Sequence, residues 1–259
     1  MKAFLFFSIR NKGRIQSAIV MMVSSMHLLR APRLLFCLLS ALVLAPLAHA
    51  ARPMVTDDAR IVDDKSCQLE TWLKADSGSN EYWALPSCNF SGNFEFAAGG
   101  AVTRQNGAGE TSDLLLQGKT LFRTLQPNGW AWGLVGGTIS HPDRSKKLLG
   151  DVYAYVPATF SFRHDAALLH LNLGWARDRL AQRHAMTWGI GGELEMTRNT
   201  WLIAESYGEH QGRPYYQLGL RHWIVHNRVQ LDATYGNRSH GGESWFSLGL
   251  RILTPAFLP

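Results

Sequence analysis

Seven polar residues near the end of the chain alternate with apolar neighbours, and several stand two or thirty positions apart. Period-two alternation places such residues on one face of an extended strand. Carboxylate, amide and guanidinium groups on a common face form ion pairs and hydrogen bonds. We predict that this face lines the interior of the protein, as either a permeation path or a closed structural network. The residues are Glu193, Glu195, Gln217, Arg221, Gln230, Asp232 and Arg251.

For catalysis the chain offers an adjacent nucleophile and base, Ser239-His240. Neighbouring strand residues point to opposite faces, this pair lies in a glycine-rich loop, and no third group orients the histidine. The histidines lack metal-ligand spacing and are predicted to be solvated polar residues. The glycines of Gly189–Gly192 precede neither a helix nor a Lys-Ser/Thr pair, so they predict no phosphate site. We expect no enzymatic activity, no metal and no cofactor, with a lipid-modifying enzyme as the weaker alternative.

Three glycines, Gly189, Gly219 and Gly249, stand thirty residues apart in similar alternating segments. One further alternating segment lies between each pair, so the repeating unit is a β-hairpin rather than a helix pair. A series of hairpins behind a secretory leader is typical of a transmembrane β-barrel.

The leader comprises a basic stretch at Met26–Arg33, an apolar stretch at Leu34–Leu47 and a small-x-small cleavage site at Ala48–Ala50. We read residues 1–50 as a signal peptide with an overextended start or a long basic region, and cleavage is predicted near Ala50/Ala51. These residues hold six Lys or Arg and no acidic residue, which leaves 20 basic and 20 acidic residues beyond them. The predicted mature chain is therefore neutral overall, and no nucleic-acid partner is expected. It also lacks an apolar run long enough for a helical membrane span.

Two cysteines remain after the leader, Cys67 and Cys88. Asp76–Asn80 is a turn signal. Folding the chain back at this turn places the two cysteines nearly opposite one another, so an oxidising compartment favours a disulfide. Two free buried thiols are the alternative.

The chain from Cys67 to Pro259 divides into about twelve short strands that form a single closed antiparallel barrel. Tight turns, as at Val225–Arg228, alternate with longer polar loops, as at Arg104–Ser112 and Ser140–Gly150. This asymmetry is expected of an outer-membrane barrel with periplasmic turns and longer outer loops. An even strand number places both termini at the periplasmic side. Residues 51–66 form a periplasmic N-terminal segment that either covers the mouth of the barrel or enters its interior.

One register follows from the turn at His226-Asn227, where Asn227 suits a positive φ. Counting outward from this turn pairs Arg221 with Asp232, and we predict an interior ion pair between them. Glu205 is also predicted to point inward, because a carboxylate facing lipid is costly. The tryptophans are predicted at strand ends or outer faces, as in interfacial girdles. They are Trp72, Trp83, Trp130, Trp132, Trp175, Trp188, Trp201, Trp223 and Trp245.

Two stretches of the chain resemble a known family. The opening Arg52–Ala59 (RPMVTDDA) followed by Cys67–Thr71 (CQLET), together with the closing Leu231–Gly236 and Ser244–Arg251, is similar to a family of outer-membrane proteins named after the phenol-degradation meta-pathway. The resemblance implies an outer-membrane β-barrel that passes hydrophobic compounds, and it implies no catalytic residues.

These observations predict an all-β bacterial outer-membrane protein that acts as a passive channel or transporter for small solutes, hydrophobic ones among them. Its expected partners are outer-membrane lipid and small solutes. A structural or binding barrel of the cell envelope, without transport, is the alternative.

Overall fold

The computed structural model describes residues 54–107, 109–146 and 149–259. The predicted leader and its cleavage site lie outside the described residues. Among the described residues, no helix is both long and apolar enough to cross a membrane.

Twelve antiparallel strands close into one barrel, in which each strand pairs with its sequence neighbours and β1 pairs with β12. The strands are β1 Cys67–Asp76, β2 Ser79–Asn89, β3 Phe94–Gln105, β4 Gly109–Arg123, β5 Trp130–Ser140, β6 Asp151–Phe162, β7 Ala167–Asp178, β8 Arg183–Thr197, β9 Thr200–Glu209, β10 Tyr215–Val225, β11 Val229–Arg238 and β12 Ser244–Leu253. The predicted fold class, a single closed antiparallel barrel of about twelve strands, is confirmed. We call the end where β1 begins and β12 ends the terminal end, and the other the loop end.

Along the strands the polar side chains are buried and the apolar side chains are exposed, the opposite of a soluble β-sandwich. On β7, His170 is 1% exposed, whereas Leu173 on the opposite face is 62% exposed. Apolar residues cover the outside of the barrel and polar residues fill its interior, as the alternation predicts. The polar lumen is therefore the candidate functional site.

The loops are shorter than predicted. Most of Arg104–Ser112 continues β3 and β4, because Arg104 pairs with Glu110 across the ladder and their side chains form an ion pair at 2.6 Å. Polar residues thus extend the strands past the apolar band instead of forming loops. Residues 141–150 remain a long connection at the loop end.

The register predicted for β10 and β11 is confirmed. Asn227 has φ 56° and the Arg228 amide donates to the Val225 carbonyl at 3.0 Å, which closes the tight turn. Arg221 lies directly opposite Asp232. A bulge between Trp223 and Val225 absorbs the mismatch between turn and ladder without changing the register beyond it.

Cys67 and Cys88 are directly opposed on β1 and β2 and form the predicted disulfide. The pair lies at the terminal end, one residue after Ser66, where the chain enters the first strand. It ties the first hairpin together at the position where the preceding segment leaves the lumen.

Candidate functional site

Residues 54–62, which we call the plug, lie inside the barrel. Met54, Ala59 and Val62 are 6%, 0% and 2% exposed. The plug enters at the terminal end, where the Asn89 amide donates to the Ser66 carbonyl, and reaches the middle of the lumen. Of the two placements that the sequence left open for residues 51–66, the described part takes the lumenal one.

The backbone of the plug binds side chains of the barrel wall. Glu205 accepts both the Val55 and Thr56 amides, at 2.7 and 2.6 Å. Asn172 accepts the Asp57 amide at 2.7 Å and donates to the Asp57 carbonyl at 2.8 Å. An unpaired strand inside a barrel must satisfy its peptide groups in this way. The inward Glu205 was predicted, but its role as the receptor of two plug amides was not.

Two further wall side chains hold the part of the plug nearer the terminal end. Thr159 accepts the Ala59 amide, and Glu95 accepts the Val62 amide, both at 2.7 Å. Ala59 also packs against an apolar cluster of the wall.

The plug carries two carboxylates that meet a buried lysine. Lys119 Nζ lies 3.0 Å from Asp57 Oδ2 and 3.5 Å from Asp58 Oδ1. Burial raises the pKa of Asp58, but the charges of Lys119, Arg60 and Arg251 outweigh it and hold that pKa well below its usual range. The plug is therefore anionic here, and it is fixed by charge as well as by backbone hydrogen bonds.

The plug also lies against two glycines of β8. A Cβ on Gly189 would come within 2.7 Å of Thr56 Oγ1, and one on Gly191 within 2.6 Å of Met54 Cε. Only a wall without side chains at these positions leaves space for the plug. In the first copy of the thirty-residue repeat, Gly189 and Gly191 thus form a gap for the plug, which we call the glycine slot. In the second copy Arg221 occupies the position that corresponds to Gly191.

Beside the plug the lumen contains a buried ion-pair network. Arg221 binds Glu193 at 2.6 Å and Asp232 at 2.8 Å. Gln230 donates to Asp232 at 3.1 Å. These four predicted residues come together from β8, β10 and β11. Arg221 faces two carboxylates at short range, so the network is a buried ion-paired core and not an open row of charges.

The other three predicted interior residues are not part of this network, although Arg251 lines the same charged cavity. Arg251 donates to Gln68 at 2.8 Å near the terminal end. Gln217 is 4% exposed and donates to Glu205 at 2.5 Å, so it buttresses the carboxylate that holds the plug. Glu195 is exposed at the end of β8 and lines neither of the two cavities in the lumen.

Sequence spacing did not reveal a hydroxyl, an imidazole and a carboxylate that lie in series. Thr159 Oγ1 is 2.9 Å from His170 Nδ1, and His170 Nε2 is 3.1 Å from Glu193. The order resembles a catalytic triad. Thr159 is 0% exposed, however, and its oxygen already accepts the Ala59 amide. A substrate therefore cannot reach the Thr159 hydroxyl. The three side chains instead link the plug to the ion-pair network.

Two other sequence candidates also have defined places. Ser239 Oγ is buried without a hydrogen-bond partner, and the neighbouring His240 is exposed with φ 61°. The prediction that His141 is a solvated loop residue is wrong. Its ring lies between Asp113 and Asp151, at 2.5 and 3.2 Å, because His141 directly follows β5, which pairs with β4 on one side and β6 on the other. Among the described residues no group of three or more His, Cys, Asp or Glu can hold a metal ion.

The half of the lumen toward the loop end is lined by aromatic rings, and we call it the aromatic vestibule. Trp72 stacks on Trp83 with centroids 5.2 Å apart, and Tyr153 lies 6.2 Å from Tyr155. The prediction of an outer-face or girdle position is wrong for three tryptophans, since Trp72, Trp83 and Trp245 line this cavity. The vestibule is lined by Trp72, Trp83, Tyr153, Tyr155, Tyr207 and Trp245, with Met54 and Val55 of the plug at its floor.

The two halves differ in free space. The cavity among the charged residues beside the plug holds about 60 Å³, enough for a few water molecules. The vestibule holds about 300 Å³, within the range of small-molecule sites. The wide vestibule thus meets the narrow charged cavity at the tip of the plug.

This architecture is that of porin-type outer-membrane barrels. A KdgM porin aligns with a TM-score of 0.55 at 10% identity, covering 71% of this chain and 98% of that one. A NanC porin aligns with a TM-score of 0.52 at 9% identity, covering 72% and 98%. An outer-membrane channel from Pseudomonas putida F1 has a TM-score of 0.49 at 10% identity, covering 78% and 98%. At such identities the likeness establishes the fold alone.

The chain belongs to the family described as "Uncharacterised conserved protein UCP029691", whose model matches residues 38–254. The search of curated proteins found no match.

Proposed function

We propose that the protein is an outer-membrane channel for small solutes, hydrophobic ones among them, and that the plug closes it. The observation that carries this proposal is the plug itself. It fills the narrow half of the lumen, yet it is joined to the wall through side chains rather than through strand pairing. Such a segment can leave without breaking the barrel ladder, and its departure would join the vestibule to the terminal end.

Several features support the assignment to a membrane and to solutes. The exposed apolar outer face needs lipid, and the disulfide fits an oxidising compartment. The aromatic vestibule favours solutes with apolar surface. The opening RPMVTDDA, which resembles the phenol-degradation meta-pathway barrels, supplies part of the plug.

A reversible cross-link tests the plug as the gate. A Cβ on Gly189 would lie 3.3 Å from Thr56 Cβ, close to the separation in a disulfide. The double variant Thr56→Cys/Gly189→Cys is reconstituted in planar bilayers, and its conductance is measured before and after reduction. We expect no conductance when the link is oxidised and conductance once it is reduced. The wild type, with and without reductant, controls for the native disulfide.

Releasing the plug gives the opposite test. Glu205→Ala removes the acceptor of two plug amides and should raise conductance at least about tenfold, since two charge-assisted hydrogen bonds are lost. Glu81→Ala is the matched control, because Glu81 lines the vestibule and bonds to Trp83.

The filled lumen also favours a second candidate, a structural barrel of the cell envelope without transport. It predicts that the wild type, the reduced double variant and Glu205→Ala all fail to conduct. Conductance by the oxidised variant, in which the plug is locked in place, would instead show that the plug does not close the path.

A further inference from the structure

We propose that the aromatic vestibule is a binding site for an uncharged solute that presents a flat ring with an apolar face. Phenol-like aromatic rings and neutral sugar rings share this chemistry. The proposal rests on the channel function for the route by which a solute arrives, and it specifies the class of solute that binds.

The shape of the walls favours a ring. A Cβ on Gly137 would lie 2.4 Å from the Tyr153 hydroxyl, and one on Gly236 would lie 2.2 Å from the Trp245 ring. Both rings therefore lie flat over a glycine of the neighbouring strand, where no other residue would leave them space. Rings held flat against the wall present broad planar surfaces, and planar surfaces stack best against another flat ring.

Several polar atoms of the walls are already engaged with one another or with the plug. Tyr153 donates to Gln117 at 2.9 Å, and Tyr155 donates to Asp57 at 2.8 Å. The Trp245 indole nitrogen lies 3.3 Å from the Gln217 oxygen. A bound solute consequently meets mainly ring carbon surface, and its affinity comes from apolar burial and stacking rather than from a network of new hydrogen bonds.

The charges at the vestibule favour an uncharged solute. Lys74 and Glu81 line the cavity and lie directly opposite one another on β1 and β2. Lys74 Nζ also lies 4.9 Å from the centre of the Trp245 ring. One cation beside one anion leaves little net field to attract an ion, and Glu205 below is occupied by the plug. The size of the cavity, about 300 Å³, suits a single ring better than a chain of rings.

Binding is tested on the full mature protein in detergent micelles by titration calorimetry, with protein-free micelles subtracted. The probes are phenol, methyl glucoside, benzoate and hexanol. We expect saturable binding of phenol, of methyl glucoside or of both, and the stronger of the two identifies the source of the ring. Benzoate and hexanol should bind at least about fivefold more weakly. Hexanol or benzoate binding as tightly as the better ring probe would overturn the proposal.

Matched variants locate the site. Trp83→Leu should weaken ring binding at least about fivefold, whereas Trp132→Leu on the outer face should leave it unchanged. Ser247→Phe provides a second variant that fills the cavity instead of emptying it, and it should also abolish binding. Each variant is first checked for a closed barrel by circular dichroism. Unchanged binding in both vestibule variants would overturn the proposal.

Conductance of the same preparations separates the two proposals. Ring binding without conductance in any plug variant keeps the binding site and rejects the channel. Conductance without ring binding keeps the channel and rejects the binding site.

Discussion

The two halves of the lumen are built from different chemistry on the same strands. Toward the terminal end, β10 carries Arg221 in a closed ion-pair network, whereas toward the loop end the same strand carries Tyr215, 5.4 Å from Tyr207. The charged half is filled and holds the plug. The aromatic half is open and is lined by rings. In the proposed channel, the charged half is the closed segment and the aromatic half is the segment that receives the solute.

The halves should differ most in how much they contribute to stability. Arg221→Ala leaves Glu193 and Asp232 buried without their counter-charge, and removing one partner of a buried pair costs about 3–5 kcal/mol. We expect a loss of this size in urea unfolding of the protein in lipid vesicles. Arg183→Ala, which breaks an exposed pair with Glu209, should leave unfolding unchanged. Equal losses for both variants would show that the network does not stabilise the barrel.

The plug can be displaced from the charged half without touching a charge. Gly189→Val places a branched side chain where Thr56 lies, so the plug must move away from β8. We expect the Val55 and Thr56 amides to exchange hydrogen at least about tenfold faster, equivalent to ~1.4 kcal/mol. The strand amides should keep their exchange rates.

Gly192→Val is the control for this effect. Its Cβ would meet only the Leu168 carbonyl at 3.6 Å, an ordinary contact on the outer face. If both glycine variants speed exchange in the plug equally, a general loosening of β8 explains the result and the slot does not.

The difference between the halves also shows what sequence can predict. Strand number and the Arg221–Asp232 pair follow from period-two alternation and one turn, because these are local properties. The same rule placed Glu205 inward, since a carboxylate facing lipid has an obvious cost.

What could not be predicted depends on contacts across the lumen. Glu205 meets the plug from about 150 positions away. Trp72 and Trp245 were expected near the lipid interfaces because tryptophan is common there, yet both line the vestibule. Each stands two positions before a polar residue on the same strand face, Lys74 for Trp72 and Ser247 for Trp245. That shared face was the signal that would have placed them inside.

One hydrogen bond joins the aromatic half to the plug, and removing it should have a smaller effect. Tyr155→Phe deletes the bond to Asp57 while keeping the ring. A hydrogen bond of this kind contributes about 1 kcal/mol, so plug amides should exchange roughly fivefold faster. Tyr215→Phe, which removes a tyrosine hydroxyl from β10 instead of β6, serves as the control. Should the two variants give the same exchange rates, the halves are not coupled through Tyr155.

The smallest expected effect lies at the loop end, beyond the vestibule. Burial lowers the pKa of His141, but hydrogen bonds from its ring to Asp113 and Asp151 outweigh burial and raise it above its ordinary value. Protonated His141 therefore stabilises the loop fully below pH ~6.5, and this stabilisation is lost as the pH rises through the raised pKa. Corrected for the intrinsic, base-catalysed exchange rate at each pH, amide exchange in residues 141–146 should speed up across that range, while corrected exchange in the plug stays constant. In His141→Asn the corrected exchange rate of the loop should be the same throughout. A pH-dependent plug in the wild type would mean that the loop end and the charged half titrate together, and the division of the lumen into two independent halves would fail.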